Sequence, residues 1–391
     1  MKPISIYIHW PFCLSLCPYC DFNSHVLEQA DYNIWLQAYK KEIDYFNYCL
    51  SKRKVKSIFF GGGTPSLMHP KLVAGIIDYI ASQSIIDDTT EITLEANPTS
   101  YETEKFKNFK RAGINRVSIG VQSFNDQALK VLGRKHSSSE AKKAIKSAAK
   151  LFERYSYDLI YAIPNQTLTA WQEELIHAST LAKSHISLYQ LTIEKGTPFF
   201  TLYNKGDLIL PENDLAADMY EWTTDYLFDY GYNRYEISNY ATTGNECIHN
   251  LSYWHYDDYI GIGPGAHSRI SQKSSKSKQS IMMIHKPEKW LASVKSHGHG
   301  IQTNIVLSKQ DTITEAFMMG MRLEQGINEQ DFQQITGCNF NEVLNIDIVM
   351  QYQQQQLLTF TPGVIKLTPR GLLLHSYLIP RMLITENNKK H

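Results

Sequence analysis

The sequence predicts a parallel α/β fold curved into a partial barrel, followed by a smaller α-rich unit. From the amino terminus to about residue 193, short apolar runs rich in β-branched and aromatic residues alternate with longer helical patterns. That is the rhythm of parallel strands with helices outside them. Polar and glycine residues cluster just after the runs, at 9–20, 61–66, 95–98, 122–124, 158–164 and 192–198. In parallel folds the carboxyl ends of strands carry the site, and in barrels they share one mouth. Six contributing strands therefore favour a barrel-like curve over a doubly wound sheet with one switch point. The third observation is a change of rhythm after Pro211, where regular alternation stops.

Strands are predicted at 4–9, 55–60, 91–95, 116–120, 157–161 and 186–192. Amphipathic helices are predicted between them at 31–50, 70–82, 101–112, 139–152 and 169–184, the last two starting at Ser139 and Thr169. Beyond 211 come a helix at 214–230, a short strand at 235–237 and a dense polar-aromatic segment at 247–268. Residues 271–280, SQKSSKSKQS, read as a solvated loop or hairpin tip. Helices at 312–322, 341–355 and 368–384, with an extended 364–367, form the α-rich unit, and 386–391 form a frayed tail. The expected division is 1–210, 211–300 and 301–391.

The 391 residues carry 39 Lys and Arg against 39 Asp and Glu. Zero net charge gives no electrostatic reason to bind nucleic acid or an anionic membrane. Hydrophobic residues at 43% exclude bulk disorder. No apolar run reaches the length of about 18 residues that a membrane span needs, and Met1–Trp10 lacks the features of a signal peptide. The expected compartment is the cytoplasm. Of the six cysteines, Cys13, Cys17 and Cys20 crowd into eight positions, while Cys49, Cys247 and Cys338 are scattered. Crowded thiols in a reducing compartment bind metal or act catalytically more often than they form disulfides.

The spacing Cys13-x3-Cys17-x2-Cys20 follows the first predicted strand directly. Three thiolates on one short loop select a soft centre: an iron–sulfur cluster, zinc or Cu(I). Structural zinc takes four ligands, so the fourth would have to be His9, His25 or a remote residue. A cubane cluster held by three cysteines instead leaves one iron open. Downstream, Gly61-Gly62-Gly63-Thr64-Pro65 permits close backbone approach but lacks the Gly-Lys-Ser/Thr of a phosphate loop. Glu95, Gln122, Arg134 and Asp158 supply acids, an amide and a permanent cation near the strand ends.

The cysteine spacing resembles the signature of the radical S-adenosylmethionine (SAM) superfamily, with its partial (β/α)6 TIM-like barrel. Tyr7-Ile8-His9-Trp10-Pro11-Phe12-Cys13 and Cys20-Asp21-Phe22-Asn23-Ser24-His25 resemble, more narrowly, the oxygen-independent coproporphyrinogen III oxidase family and its heme-chaperone branch. The likeness spans nearly the whole chain and includes EAFMMGMRLEQGI at 315–327. It implies a [4Fe-4S] cluster on Cys13, Cys17 and Cys20 whose open iron binds the amino and carboxylate groups of SAM. It also implies a nucleoside site at Tyr7, Tyr19, Gly62, Gly63, Thr64, Glu95, Gln122, Arg134 and Asp158, with Ala162 and Thr192 matching the family less closely. The segment 261–267 is expected near the cofactor. The family's oxidases carry a fourth cysteine two residues after the third ligand, and here that residue is Phe22. His249-Asn250-Leu251-Ser252-Tyr253-Trp254 matches the H-N-x-x-Y-W motif of the heme-binding branch. The resemblance therefore implies His249 as heme ligand, ahead of His255, His267 and Cys247, with Tyr253 and Trp254 as flat surface for the macrocycle. The expected activity is heme binding and transfer to acceptors such as respiratory cytochromes, with a separate reductant for the cluster. The alternatives are radical decarboxylation of coproporphyrinogen III propionates and a zinc-stabilised binding protein.

Overall fold

In the computed structural model, which describes residues 2–27, 30–272 and 277–384, six strands stand side by side in chain order. They are β1 (Ile4–Trp10), β2 (Val55–Gly62), β3 (Glu91–Ala96), β4 (Arg116–Gln122), β5 (Arg154–Tyr161) and β6 (His185–Gln190). Each runs parallel to the next. Sequential order without a reversal is barrel order, not doubly wound order. In β1, Ile4, Ile6 and Ile8 are fully buried in the main core, while Ser5 bonds across the barrel interior to Ser57 and Ser252. The period of two therefore points Ser5, Tyr7 and His9 inward.

Helices α1 (Tyr32–Tyr45), α2 (Pro70–Gln83), α3 (Ser138–Leu151) and α4 (Leu168–Ser179) follow strands of this set, and their apolar faces contribute Trp35, Ile76, Ala144 and Trp171 to the same core. The predicted helix at 101–112 is two short ones, Ser100–Glu104 and Phe106–Arg111. The caps of α3 and α4 are Ser137 and Thr167, two residues before the expected starts. A capping box needs its acid at the third helical position, and Glu140 closes that box on Ser137, not on Ser139.

Residues past 210 flank both edges of the barrel sheet. After α5 (Asn213–Asp229), β7 (Asn233–Glu236) and β8 (Asn239–Ala241) add to β6, with β8 antiparallel to it. After α6 (Ile248–Trp254), β9 (Tyr259–Ile262) lies parallel to β1. Then β10 (His267–Ser271), β11 (Lys278–Met283) and, after α7 (Pro287–His297), β12 (Ile301–Val306) extend that edge antiparallel. The sheet thus runs to Val306, past the expected boundary at 300. Residues 273–276, the middle of the expected loop, and the tail 386–391 lie outside the described residues, while 278–280 belong to β11.

The last unit packs α8 (Lys309–Gly320) and shorter helices around a small sheet of β13 (Ile327–Asn328), β14 (Leu358–Thr361) and β15 (Val364–Leu367). It has its own core, including Phe317, Phe332, Phe340, Ile365 and Leu378. Two helical patterns are interrupted here. Residues 341–355 become Phe340–Val343 and Ile346–Gln354, where Asn345 caps the second helix with its side chain, and 368–384 become Pro369–Leu373 and His375–Met382.

Candidate functional site

The three cysteines stand on a loop pinned at both ends. Phe12–Cys13 pairs with His25–Val26, and His25 N donates to Pro11 O at 2.7 Å. Midway, Phe199 N donates to Pro18 O at 2.9 Å. Gly133 has φ +68°, and a Cβ there would lie 2.5 Å from Pro18 Cδ, so the next loop packs directly on this one. All three thiols line a cavity of about 230 Å³ at the carboxyl ends of the strands. Thr64 Oγ1 donates to Cys13 Sγ at 3.3 Å, and Arg134 Nη1 to Cys17 Sγ at 3.4 Å. Donors of this kind favour thiolates. Burial, the larger influence, pushes the Cys13 and Cys20 thiols up in pKa.

This donor set suits a thiolate-held cluster. No three His, Cys, Asp or Glu side chains among the described residues converge as one metal ion requires. A cubane tolerates thiolates standing apart around a cavity. Of the two histidines named for the zinc alternative, His9 has both ring nitrogens engaged and His25 has one. His9 is engaged through Nε2 with Asn23 O (2.9 Å) and through Nδ1 with Tyr7 OH (3.1 Å), and His25 Nε2 meets Asn23 Oδ1 at 3.2 Å.

The glycine loop forms the neighbouring wall for a reason the sequence did not disclose. A Cβ at Gly62, where φ is +114°, would meet His9 Cε1 at 2.6 Å and Trp10 O at 2.8 Å; at Gly63 it would meet Phe12 O at 2.7 Å. These glycines let the second strand's end press on the cysteine loop. Gly62 N donates to Glu95 Oε2 (3.3 Å), Gly63 N to Trp10 O (2.7 Å) and Thr64 N to Phe12 O (2.8 Å). With these N–H donors engaged, the loop can offer a ligand only acceptors, which is what an ammonium group needs.

Glu95 and Asp158 line the same cavity from β3 and β5. Burial, with Asp158 adding repulsion, pushes the Glu95 carboxyl up to about 8, and burial lifts Asp158 to about 6. Gln122 has φ +69°, and the β4–β5 register shifts between Ile119 and Gln122. A left-handed non-glycine residue at a strand end is strained, and the kink carries the amide to the cavity wall. Ala162 has φ +55°, a conformation glycine adopts at less cost. Arg134 Nη2 is held by Gly120 O (2.8 Å) and Asn97 Oδ1 (2.5 Å). Asn97 also donates to Thr64 Oγ1 at 3.1 Å. This bridging Asn97 was missed; its signal was its place two residues beyond Glu95.

Tyr7 is corrected. It lines neither this cavity nor the next; its inward ring stacks on Phe59 and its hydroxyl meets His9. The segment 261–267 packs against the two ends of the cysteine loop. A Cβ at Gly263 would lie 2.5 Å from His9 O, and Asn23 Nδ2 donates to Pro264 O at 3.0 Å.

A second cavity of about 570 Å³ opens beside the first, and both share Tyr19, Cys20, Phe22, Glu95, Gln122 and Asp158. Its further walls include Tyr161, Tyr189, Thr192, Tyr220 and Arg322, and Leu372, Leu373 and His375 from the last unit. Phe22 stands at this shared wall, 64% exposed. None of the carboxyl-terminal wall residues was legible in the sequence as part of a site.

The H-N-x-x-Y-W segment is elsewhere. His249 is 1% exposed, with Nδ1 at 2.9 Å from Ser57 Oγ and Nε2 at 2.9 Å from Tyr253 OH. Its backbone N–H donates to Glu91, which also pairs with Arg154 at 2.8 Å. Ser57, Glu91 and Arg154 stand at the amino ends of their strands. Ser57 lies five residues below Gly62, roughly 16 Å at the rise of a strand. Burial pushes the His249 imidazole down to about 3. This histidine fills the far end of the barrel, and both ring nitrogens are engaged within the protein. Tyr253 is edge-on to Tyr259 at 4.6 Å, and the Trp254 ring lies 4.4 Å from the Arg322 guanidinium. Neither ring lines the second cavity.

A six-strand parallel barrel with three cysteines at its mouth is the architecture of a radical SAM protein. The radical SAM superfamily model matches residues 7–175, and the HemN C-terminal domain model matches 307–374. The heme chaperone HemW of Haemophilus influenzae is 37% identical, with 99% of each chain covered. HemW of Escherichia coli is also 37% identical, over 86% of this chain and 87% of its own. A zebrafish (Danio rerio) mitochondrial protein, radical S-adenosyl methionine domain-containing protein 1, is 34% identical over 97% and 87%. The solved coproporphyrinogen III oxidase HemN from Escherichia coli shares the fold, with TM-score 0.81, 20% identity and coverage of 97% and 90%. The chain belongs to the radical SAM family that includes the heme chaperone HemW. The cofactors of that family are a [4Fe-4S] cluster and SAM, and the thiol-rimmed cavity and its acceptor-bearing wall suit them.

Proposed function

We propose that this protein is a heme chaperone, which binds heme beside a SAM-ligated [4Fe-4S] cluster and hands it to acceptor proteins such as respiratory cytochromes. The observation that carries this reading is the full-length likeness to relatives named heme chaperone HemW. The structure adds a large aromatic cavity adjoining the cysteine cavity. Cys13, Cys17 and Cys20 would hold the cluster, which when reduced supplies an electron to the sulfonium. Gly62, Gly63 and Thr64 would face the amino group of SAM, and Glu95, Gln122, Asp158 and Tyr19 its nucleoside. Arg134 would hold the Cys17 sulfur and the Asn97 amide, and Tyr7 would support His9 from below. Residues 1–210 would carry this site, 211–300 would seal and extend the barrel, and 301–391 would close the second cavity. A reducing compartment, the cytoplasm, suits the half-buried free thiols, while the zebrafish relative is named mitochondrial. No described helix is long and apolar enough to cross a membrane. A separate reductant would feed the cluster.

The decisive experiment is anaerobic reconstitution followed by EPR and a heme titration. Iron and sulfide on the three cysteines, together with saturable heme binding, are expected. Stoichiometric zinc, or no heme binding, overturns the reading. Because the two cavities share Glu95, Gln122 and Asp158, a ligand in the second would lie next to SAM. That contiguity favours the alternative of radical decarboxylation of coproporphyrinogen III, against which Phe22 stands. Anaerobic turnover of that substrate to a divinyl product would reverse the ranking.

A further inference from the structure

The second cavity has a charge arrangement that its apolar walls do not explain. Its described walls contain one Lys or Arg, Arg322, which follows α8 at the start of the last unit. The side chain is 28% exposed. Its Nε is buried without a hydrogen-bond partner among the described residues, and its Nη2 reaches Glu236 Oε2 only at 3.5 Å. Glu236 is 1% exposed, and its other oxygen is taken by Ser238 N at 3.0 Å and by the Asn239 amide. The acid thus balances part of the guanidinium's charge through one long contact. On the flat face, Trp254 stacks at 4.4 Å. A guanidinium fixed by a ring face keeps its planar fork oriented, and such a fork matches a carboxylate. His375 stands close enough for Arg322 to lower its pKa, so both basic side chains of the cavity gather at one end. Of the acids lining this cavity, Asp21 follows Cys20 directly, Glu95 and Asp158 also line the cysteine cavity, and Glu194 precedes Phe199, whose N–H donates to Pro18 O on the cysteine loop.

We infer that Arg322, held by Trp254, is the carboxylate anchor of the second cavity and selects a flat apolar macrocycle with an anionic edge, engaging the propionates of a tetrapyrrole. This rests on the heme-binding reading but is a separate claim. It assigns propionate recognition to one guanidinium, gives the tryptophan of the H-N-x-x-Y-W segment a positioning role, and sets the macrocycle's anionic edge away from the cluster. It also gives a task to the MRLEQGI segment, which the cluster and SAM leave unexplained.

The test uses the full-length reconstituted protein and two metal-free probes, mesoporphyrin and mesoporphyrin dimethyl ester, with heme alongside. Because neither porphyrin contains iron, axial ligation does not contribute. Wild type should bind the free acid at least about tenfold more tightly than the ester. Arg322→Ala should weaken the acid by a similar factor and leave the ester unchanged, Arg322→Lys should recover part of the loss, and Trp254→Leu should weaken the acid less than Arg322→Ala does. EPR of the cluster should be the same in all. Equal binding of acid and ester by wild type, or equal weakening of both by Arg322→Ala, overturns the inference while leaving heme binding standing. Should Arg322→Ala fail to fold, the acid–ester comparison in wild type still decides. If wild type binds neither heme nor porphyrin, the heme-chaperone reading falls and the inference with it.

Discussion

Glu95 shows how one side chain ties burial to ligand chemistry. With its carboxyl pushed up to about 8, it is mostly protonated at neutral pH in the free protein. A cationic ligand alongside would stabilise the carboxylate and expel the proton. SAM binding at pH 7 is therefore expected to release a proton and to tighten as pH rises through 8. Calorimetry in two buffers of different ionisation enthalpy checks this, and identical apparent heats would sink it. Glu42 offers a stability counterpart away from the cavities. Its buried carboxylate accepts from Gly263 N, Gly300 N and Trp290 Nε1, and burial, outweighing those bonds, raises it to about 7. The folded state then binds the proton more tightly than the unfolded state, whose carboxyl titrates near 4.5. This contribution is fully present below 4.5 and is lost as pH rises toward 7. Glu42→Gln should flatten that slope in thermal melts taken across the range.

Among the elements, the end of β2 bears most on the site. Gly62→Ala would force a side chain into φ +114° and against His9 and Trp10. A loss of about 2–4 kcal/mol is expected, with reduced iron content after reconstitution because the displaced strand end abuts the cysteine loop. Ser137→Ala removes one half of a capping box and should cost about 1 kcal/mol with iron content unchanged. Measuring melting temperature and iron together separates the two. The parallel strands were legible because strands buried on both faces read as continuous apolar runs. The flanking strands were not: β12 is largely exposed on an edge and has no periodic signature to read. The break at Asn345 was hidden in a continuous helical pattern that capping overrides.

For the molecule as a whole, the last unit completes the site, because Leu372, Leu373 and His375 close a cavity whose opposite wall is the barrel mouth. Leu373→Glu places a charge on the wall that the last unit contributes, outside the cysteine loop. It should weaken heme binding by about tenfold or more and leave the cluster's EPR signal unchanged, and a parallel loss of cluster would contradict this division of labour. The candidate site was legible where its chemistry is dense in a few residues, as with the cysteines and the glycine loop. Asn97 and Arg322 are single polar residues in otherwise ordinary stretches. Only long-range packing shows what they touch.

The sequence alone determined the trio of thiols after the first strand, the ordered barrel strands and the acids, amide and cation at their carboxyl ends, because short spacings and strand polarity constrain these locally. Tertiary structure decided which inward side chains reach the mouth and which fill the opposite end. Tyr7 lies on a strand the pattern placed, and His249 on a short helix, Ile248–Trp254, where the pattern gave only a polar-aromatic segment; the direction and burial of both depend on partners far along the chain. A ring nitrogen's availability is set by the neighbours folding brings to it, and for His249 those are Ser57 and Tyr253.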